Sequence, residues 1–232
     1  MNTEHGLEGL TTAHLSDACL QRGIGPRLAP QQLGPVEPGV HVAGRVVPVR
    51  HAGSVDIFVE VIANADPGCV LVIDDDGRRD QACIGDLVVA EAKLAQLAGI
   101  VVWGCHRDTQ EIRSIGLPVF SLGAIPLGPS SSSQRDPDAL TSARVGDFTV
   151  DDTDVVIADD DGAIFISQNR VYEIATAART IREREHQQAE LLVEGTPLFQ
   201  QLRFADYLEK NATDPSYTLR IHLQEIGRAI ET

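Results

Sequence analysis

The apolar positions of this chain come in two rhythms. Short, almost unbroken runs rich in Val and Ile, at residues 42–49, 69–74, 100–103 and 163–167, have the pattern of buried strands. Asp74-Asp75-Asp76-Gly77 closes one such run, and residues 154–162, DVVIADDDG, repeat the motif. Both read as Asp-Gly turns after buried strands, two similar strand-turn units rather than a carboxylate metal site. Longer stretches read as helices. Residues 10–22 take Thr11 or Thr12 as cap and stop at Gly23, and the Ala-rich residues 86–98 are closed by Gly99. Residues 170–193 make one long, charge-rich amphipathic helix and 197–209 a second. A third begins at Asp214-Pro215, with Leu219, Leu223, Ile226 and Ile230 at helical spacing. The apolar stripe of such a tail needs a surface, on its own domain or on a neighbouring subunit. Four prolines (Pro26, Pro30, Pro35 and Pro38) make residues 25–39 an extended connector. The stretch 128–138, GPSSSSQRDPD, is a polar surface loop, expected to be the most mobile internal segment.

Candidate chemistry follows from the out-and-back path of residues 84–116. A helix of about 12 residues at roughly 1.5 Å each is about as long as a strand of about five at roughly 3.3 Å, so the chain goes out and returns. Asp86 therefore shares an edge with Arg107 and Asp108, where strands end and the N–H groups of a helix start favour an anion such as a small carboxylate. Asp86 and Asp108 offer oxygen to a hard cation such as Mg2+, which keeps several waters and needs only one or two carboxylates. Arg107, fork-shaped and permanently charged, suits a carboxylate or a developing enolate oxygen. The plainer reading of the same residues is an Asp capping the following helix and an Arg in a surface ion pair. Beside them, His106 reads as a strand-end side chain pointing away, although its ordinary pKa would suit proton transfer.

Composition narrows the partners. Thirty-four acidic against 19 basic residues give a formal charge of -15, and the only lysines are Lys93 and Lys210. Nucleic acid, whose phosphates need clustered cations, is not an expected partner. No run reaches the roughly 18 apolar residues of a membrane span, and no positively charged leader precedes an apolar stretch, so a cytoplasmic protein is expected. Cys19, Cys69, Cys83 and Cys105 lack zinc-site or disulfide spacing and read as buried thiols, with Cys105 beside the candidate site.

Asp86, 20 intervening residues and then Arg107-Asp108 resemble the signature of the metal-dependent pyruvate aldolases acting on 4-hydroxy-4-methyl-2-oxoglutarate and 4-carboxy-4-hydroxy-2-oxoadipate. The same family contains the RraA-like regulators of ribonuclease E. The resemblance extends through residues 64–77, NADPGCVLVIDDDG, through 117–123, LPVFSLG, and back to Ser16-Asp17 in LTTAHLSDAC, roughly residues 10–195 in all. Two departures stand out. Trp103-Gly104 occupies the place of an Asp-Gly pair, which implies a different substrate or a drier pocket. In the helix where a His or Asn is common, residues 54–63 read SVDIFVEVIA.

The resemblance implies an α/β protein: an RraA-like β/β/α layered domain, related to swivelling phosphohistidine domains, over residues 1–168, followed by C-terminal helices over 169–232. It implies trimers or hexamers with sites near subunit boundaries. It further implies that Asp108 ligates Mg2+ or Mn2+, that Asp86 holds a metal-bound water, and that the N–H groups around Gly85 and Leu87 receive oxygens of a small 2-oxo acid. Arg107 would stabilise the enolate left by retro-aldol cleavage or by oxaloacetate decarboxylation. A family glutamate arriving from the adjacent subunit falls on Glu185 by its distance to Gly195, with Glu183 as the alternative. The other functions the resemblance allows are a non-catalytic regulator of an RNA-processing enzyme and a lyase of divergent chemistry.

Overall fold

The computed structural model describes residues 6–130 and 134–227. The elements run in order as α1 (Thr12–Gln21), β1 (Arg27–Leu28), β2 (Gly34–Pro35), β3 (Val42–Arg50), α2 (Asp56–Asn64), β4 (Val70–Asp74), β5 (Ala82–Ile84), α3 (Asp86–Leu94), β6 (Gly99–Trp103) and β7 (Cys105–His106). They continue as α4 (Thr109–Ile115), β8 (Val119–Ser121), β9 (Ala143–Val145), β10 (Phe148–Val150), β11 (Asp154–Asp159), β12 (Gly162–Ser167), α5 (Gln168–Val193), α6 (Leu198–Gln201), α7 (Phe204–Thr213) and α8 (Leu219–Glu225).

The main sheet has the order β1-β12-β11-β3-β4-β6-β8-β2. Its middle, β3 to β8, is parallel, and its flanks are antiparallel. β3 is the pivot, because residues 42–45 pair with β11 while residues 46–50 pair with β4. Side chains alternate even though both faces are buried. Val46, Val70, Val72, Val101 and Phe120 point to one side, into a core closed by Ala143, Val145 and Val150 of the β9–β10 hairpin. Val49, Leu71, Ile73, Ile100 and Val102 point to the other, against α2 and α3. Further round the sheet Val155, Ile157, Ile164 and Ile166 pack under α1 and α5. Helices thus cover one face in two patches, and a curled sheet with its hairpin forms the other layers.

Several boundaries differ from the sequence reading. The 86–98 helix ends at Leu94, because Gln96 takes a left-handed φ of 61° and the Leu97 N–H returns to the Ala92 carbonyl at 3.0 Å. Gly99 closes no helix; it opens β6 where a Cβ would lie 2.9 Å from the Pro118 carbonyl oxygen. The 197–209 helix is split into α6 and α7 by Arg203, at φ 49°. Thr218, not Asp214-Pro215, caps the third tail helix, its hydroxyl accepting from the Ile221 N–H at 3.3 Å. Asp214 instead turns the chain locally by accepting from the Ser216 N–H at 2.9 Å. Ile230 and residues 131–133 of the polar loop lie outside the described residues. The buried stripe of α5 (Val171, Ile174, Ala178 and Ile181) packs on its own domain. Among the described residues no helix is long and apolar enough to cross a membrane.

Candidate functional site

The site grows from a pair of strands too short to announce themselves. β5 and β7 pair in parallel outside the main sheet, Ala82 opposite Cys105 and Ile84 opposite His106. Each runs straight into a helix, β5 through Gly85 into α3 and β7 through Arg107-Asp108 into α4. Asp86 and Arg107-Asp108 do share an edge, but β7 delivers the pair, one turn beyond the β6 strand expected to do so.

Asp108 sits at the N-cap position of α4 with φ 61° and ψ 43°, a left-handed conformation uncommon outside glycine, yet its side chain does not cap that helix. The carboxylate turns instead to the head of α3. Its Oδ2 lies 3.4 Å from the Asp86 amide nitrogen, which donates to it, and 3.4 Å from Arg107 Nε. Gly85 makes room, since a Cβ there would stand 2.4 Å from Asp108 Oδ2. The plainer reading, a carboxylate capping its own helix, therefore does not describe Asp108. Asp86 Oδ1 accepts from the Leu87 N–H at 2.8 Å, so the expected substrate-binding amide at Leu87 is engaged by its neighbour. Gly85, Asp86, Leu87 and Arg107 line a cleft of about 120 Å3 with Cys83, Val55 and Pro129.

The neighbours take structural roles. His106 is buried, its Nδ1 2.7 Å from Ser121 Oγ and its Nε2 3.0 Å from Thr109 Oγ1. Burial, then the Arg113 charge, lower its pKa, so it ties β7 to β8 and α4 as a neutral ring. Burial raises the Cys105 thiol pKa, which disfavours the reactive thiolate. The Trp103 indole lies over the turn after β4, where a Cβ on Gly77 would come within 2.8 Å of it. Glu185 is on α5, in the other helical patch, 3.1 Å from His14 Nε2. The fold does not bring it to Asp108 within the chain. Glu183, the alternative, is exposed on the same helix.

A second polar cluster escapes a reading along the chain because its members come from three elements. Asp75, in the first DDDG turn, is not a solvated turn residue: it is 4% exposed and its Oδ1 lies 2.8 Å from His51 Nδ1. Cys83 faces them from β5, its thiol pushed well up by burial. One donor atom from each of His51, Asp75 and Cys83 lies within 4.8 Å of the others. The one signal in the sequence was the polar residue His51 directly after a buried strand. A larger cavity of about 520 Å3 at the ends of β3 and β4 has its arginines engaged, Arg50 with Asp136 and Arg144 with Asp76.

Residues 12–165 match the family model for RraA-like proteins, described as Aldolase/RraA, and the chain belongs to that family. It is 30% identical over 129 residues to a Bacillus cereus protein provisionally named a 4-hydroxy-4-methyl-2-oxoglutarate aldolase, covering 56% of this chain and 79% of that one. It is also 30% identical over 131 residues to Protein DlpA of Legionella pneumophila, covering 56% of this chain but only 21% of that relative's length. The solved Streptomyces coelicolor RraAS2, titled an unusual member of the RNase ES inhibitor RraA family, superposes with a TM-score of 0.68 at 26% identity, over 83% of this chain and 96% of that one.

Proposed function

We propose that the protein is a divalent-metal-dependent lyase that cleaves a 4-hydroxy-2-oxo dicarboxylate to pyruvate and a second oxo acid, and decarboxylates oxaloacetate by the same route. The observation that carries this reading is the convergence on Asp108 Oδ2 of the Asp86 N–H and Arg107 Nε, each at 3.4 Å. The donors are carboxylate oxygens open to water, a set that fits Mg2+ or Mn2+. Asp108 would hold the ion directly and Asp86 through water. When bound, the ion supplies Lewis-acid polarisation of the substrate's keto and carboxylate oxygens. Turning Asp86 towards the ion frees the Leu87 N–H, which with the amides around Gly85 receives a substrate oxygen. As the C3–C4 bond breaks, the C4 hydroxyl gives its proton to water and becomes the second product's carbonyl. The bond's electron pair moves through C3 into the keto carbonyl, the Arg107 fork stabilises the charge that gathers on oxygen, and a proton taken from water at C3 completes pyruvate.

Glu185 enters from a neighbouring copy in a trimer or hexamer. Asp108→Ala and Glu185→Ala chains, inactive alone, would then recover activity after subunit exchange. Exchange without recovery would overturn the shared site, and Glu183→Ala run in parallel decides between the two glutamates. The reaction itself is tested by pyruvate release from oxaloacetate and from 4-hydroxy-4-methyl-2-oxoglutarate, with Mg2+ and after EDTA. Release that needs the ion supports the proposal; no release from either leaves a lyase of divergent chemistry or the non-catalytic regulator, the latter favoured by the likeness to RraAS2.

A further inference from the structure

We propose that His51, Asp75 and Cys83 form a second metal site, for Zn2+, sealed beneath the cleft and separate from the oxygen cluster at Asp108. The three residues come from the ends of β3 and β4 and from β5, and one donor atom of each already lies within 4.8 Å of the others. The set is N, O and S, which suits zinc and not the hard cations that favour oxygen alone. Tetrahedral zinc with these ligands sets donor atoms about 3.5 Å apart, so the widest gaps close by up to about 1.3 Å while the 2.8 Å His51–Asp75 contact opens.

The independent observation is what the cluster lacks. The His51 side chain is 0% and the Asp75 side chain 4% exposed, yet His51 Nε2 and Asp75 Oδ2 have no hydrogen-bond partner. A buried polar atom left unpaired costs free energy, and His51 and Asp75 each carry one. The backbone around them is shaped to keep Asp75 inside. Asp76 and Gly77 turn with φ 60° and 65°, and Gly104 must be glycine because a Cβ would stand 2.7 Å from Asp75 Cβ. His51 borders the larger cavity and Cys83 borders the cleft. The ion would pin three strand ends under Gly85 and Asp86, two residues after Cys83.

The test is optical and independent of turnover. The full-length protein, stripped with EDTA, is titrated with Co2+ and then with Zn2+. The expected result is a thiolate-to-Co2+ charge-transfer band that saturates at one equivalent, is displaced by Zn2+ and is unmoved by Mg2+. The band should vanish in Cys83→Ser, persist in Cys105→Ser and Asp108→Ala, and need at least about 10-fold more Co2+ in His51→Gln. Zn2+ should raise the melting temperature of the unsubstituted protein and not of Cys83→Ser. If Cys83→Ser does not fold, the His51→Gln titration decides alone. Absence of the band in the unsubstituted protein, or a band untouched in both Cys83→Ser and His51→Gln, overturns the site. Either result leaves the proposed lyase standing, because that reading uses none of these three side chains.

Discussion

The cluster at Asp108 and the cluster at His51 are built from adjoining pieces of chain, and they differ in what water does to them. Arg107 and Asp108 have side chains 48% and 35% exposed, so their charges are solvated, cheap to keep and available to a ligand. His51 and Asp75 are shut off, their side chains 0% and 4% exposed, and whatever they hold must satisfy them almost completely. Cys83 and Asp86 stand on the two sides of this divide with only Ile84 and Gly85 between them. The lesson is that an open carboxylate pair can wait for a hard, partly hydrated ion and its substrate, whereas a sealed N, O, S set suits a permanent, dehydrated one.

The contrast breaks most visibly at Asp108. Asp108→Ala should bring metal-dependent pyruvate release to the background of the EDTA-treated protein while the melting temperature stays near its starting value. Activity that survives would move the site elsewhere. Arg107→Lys should lower turnover by roughly 10²-fold or more, because a point charge cannot reproduce the fork at a developing oxyanion. A near-normal rate would leave Arg107 as the surface partner of Asp108 and nothing more. Asp86→Ala should raise the Mg2+ concentration for half-maximal activity by roughly 10- to 100-fold, the scale of a ligand acting through water. Equal losses in Asp86→Ala and Asp108→Ala would mean that both residues ligate directly.

The open cluster was legible because two sparse signals agreed, Asp86 at a helix start and Arg107-Asp108 20 residues later. Residue types and spacing are properties of the chain itself. Apolar runs likewise disclosed β3, β4, β6, β11 and β12 and the long α5. What stayed hidden depended on partners. β5 and β7, of three and two residues, exist only because they pair with each other. The left-handed turns at Gln96 and Arg203 fall on residue types that do not favour that conformation. The two DDDG turns show the limit best. Asp159 to Gly162 ends an antiparallel hairpin, and Asp159 accepts from the N–H and hydroxyl of Thr12, each at 2.7 Å. Asp75, in the same motif after a parallel strand, is carried inward to His51. One string of letters, placed beside different neighbours, yields a helix anchor in one case and a buried ligand candidate in the other.

The smallest effect should appear at His106, which supports the open cluster from below through Thr109 in the first turn of α4. Burial and Arg113 hold its pKa below the ordinary 6.5, against a weaker opposing pull from Asp108. The unfolded chain takes up this proton near 6.5 while the folded protein resists it, so below that pH the unfolded state binds more protons. Stability should therefore fall as pH drops from about 6.5 towards the lower folded value, and His106 should contribute no slope above it. Urea unfolding of the unsubstituted protein and of His106→Gln from about pH 7.5 to 5 measures the difference. The variant should start less stable, having lost a ring bonded at both nitrogens, and should lose less on acidification. Parallel curves would mean that other groups set the acid limit and that His106 keeps its ordinary affinity for protons in the fold. The Asp108→Ala background sharpens the test: removing the carboxylate that favours the charged ring should lower the His106 pKa further and steepen the acid loss.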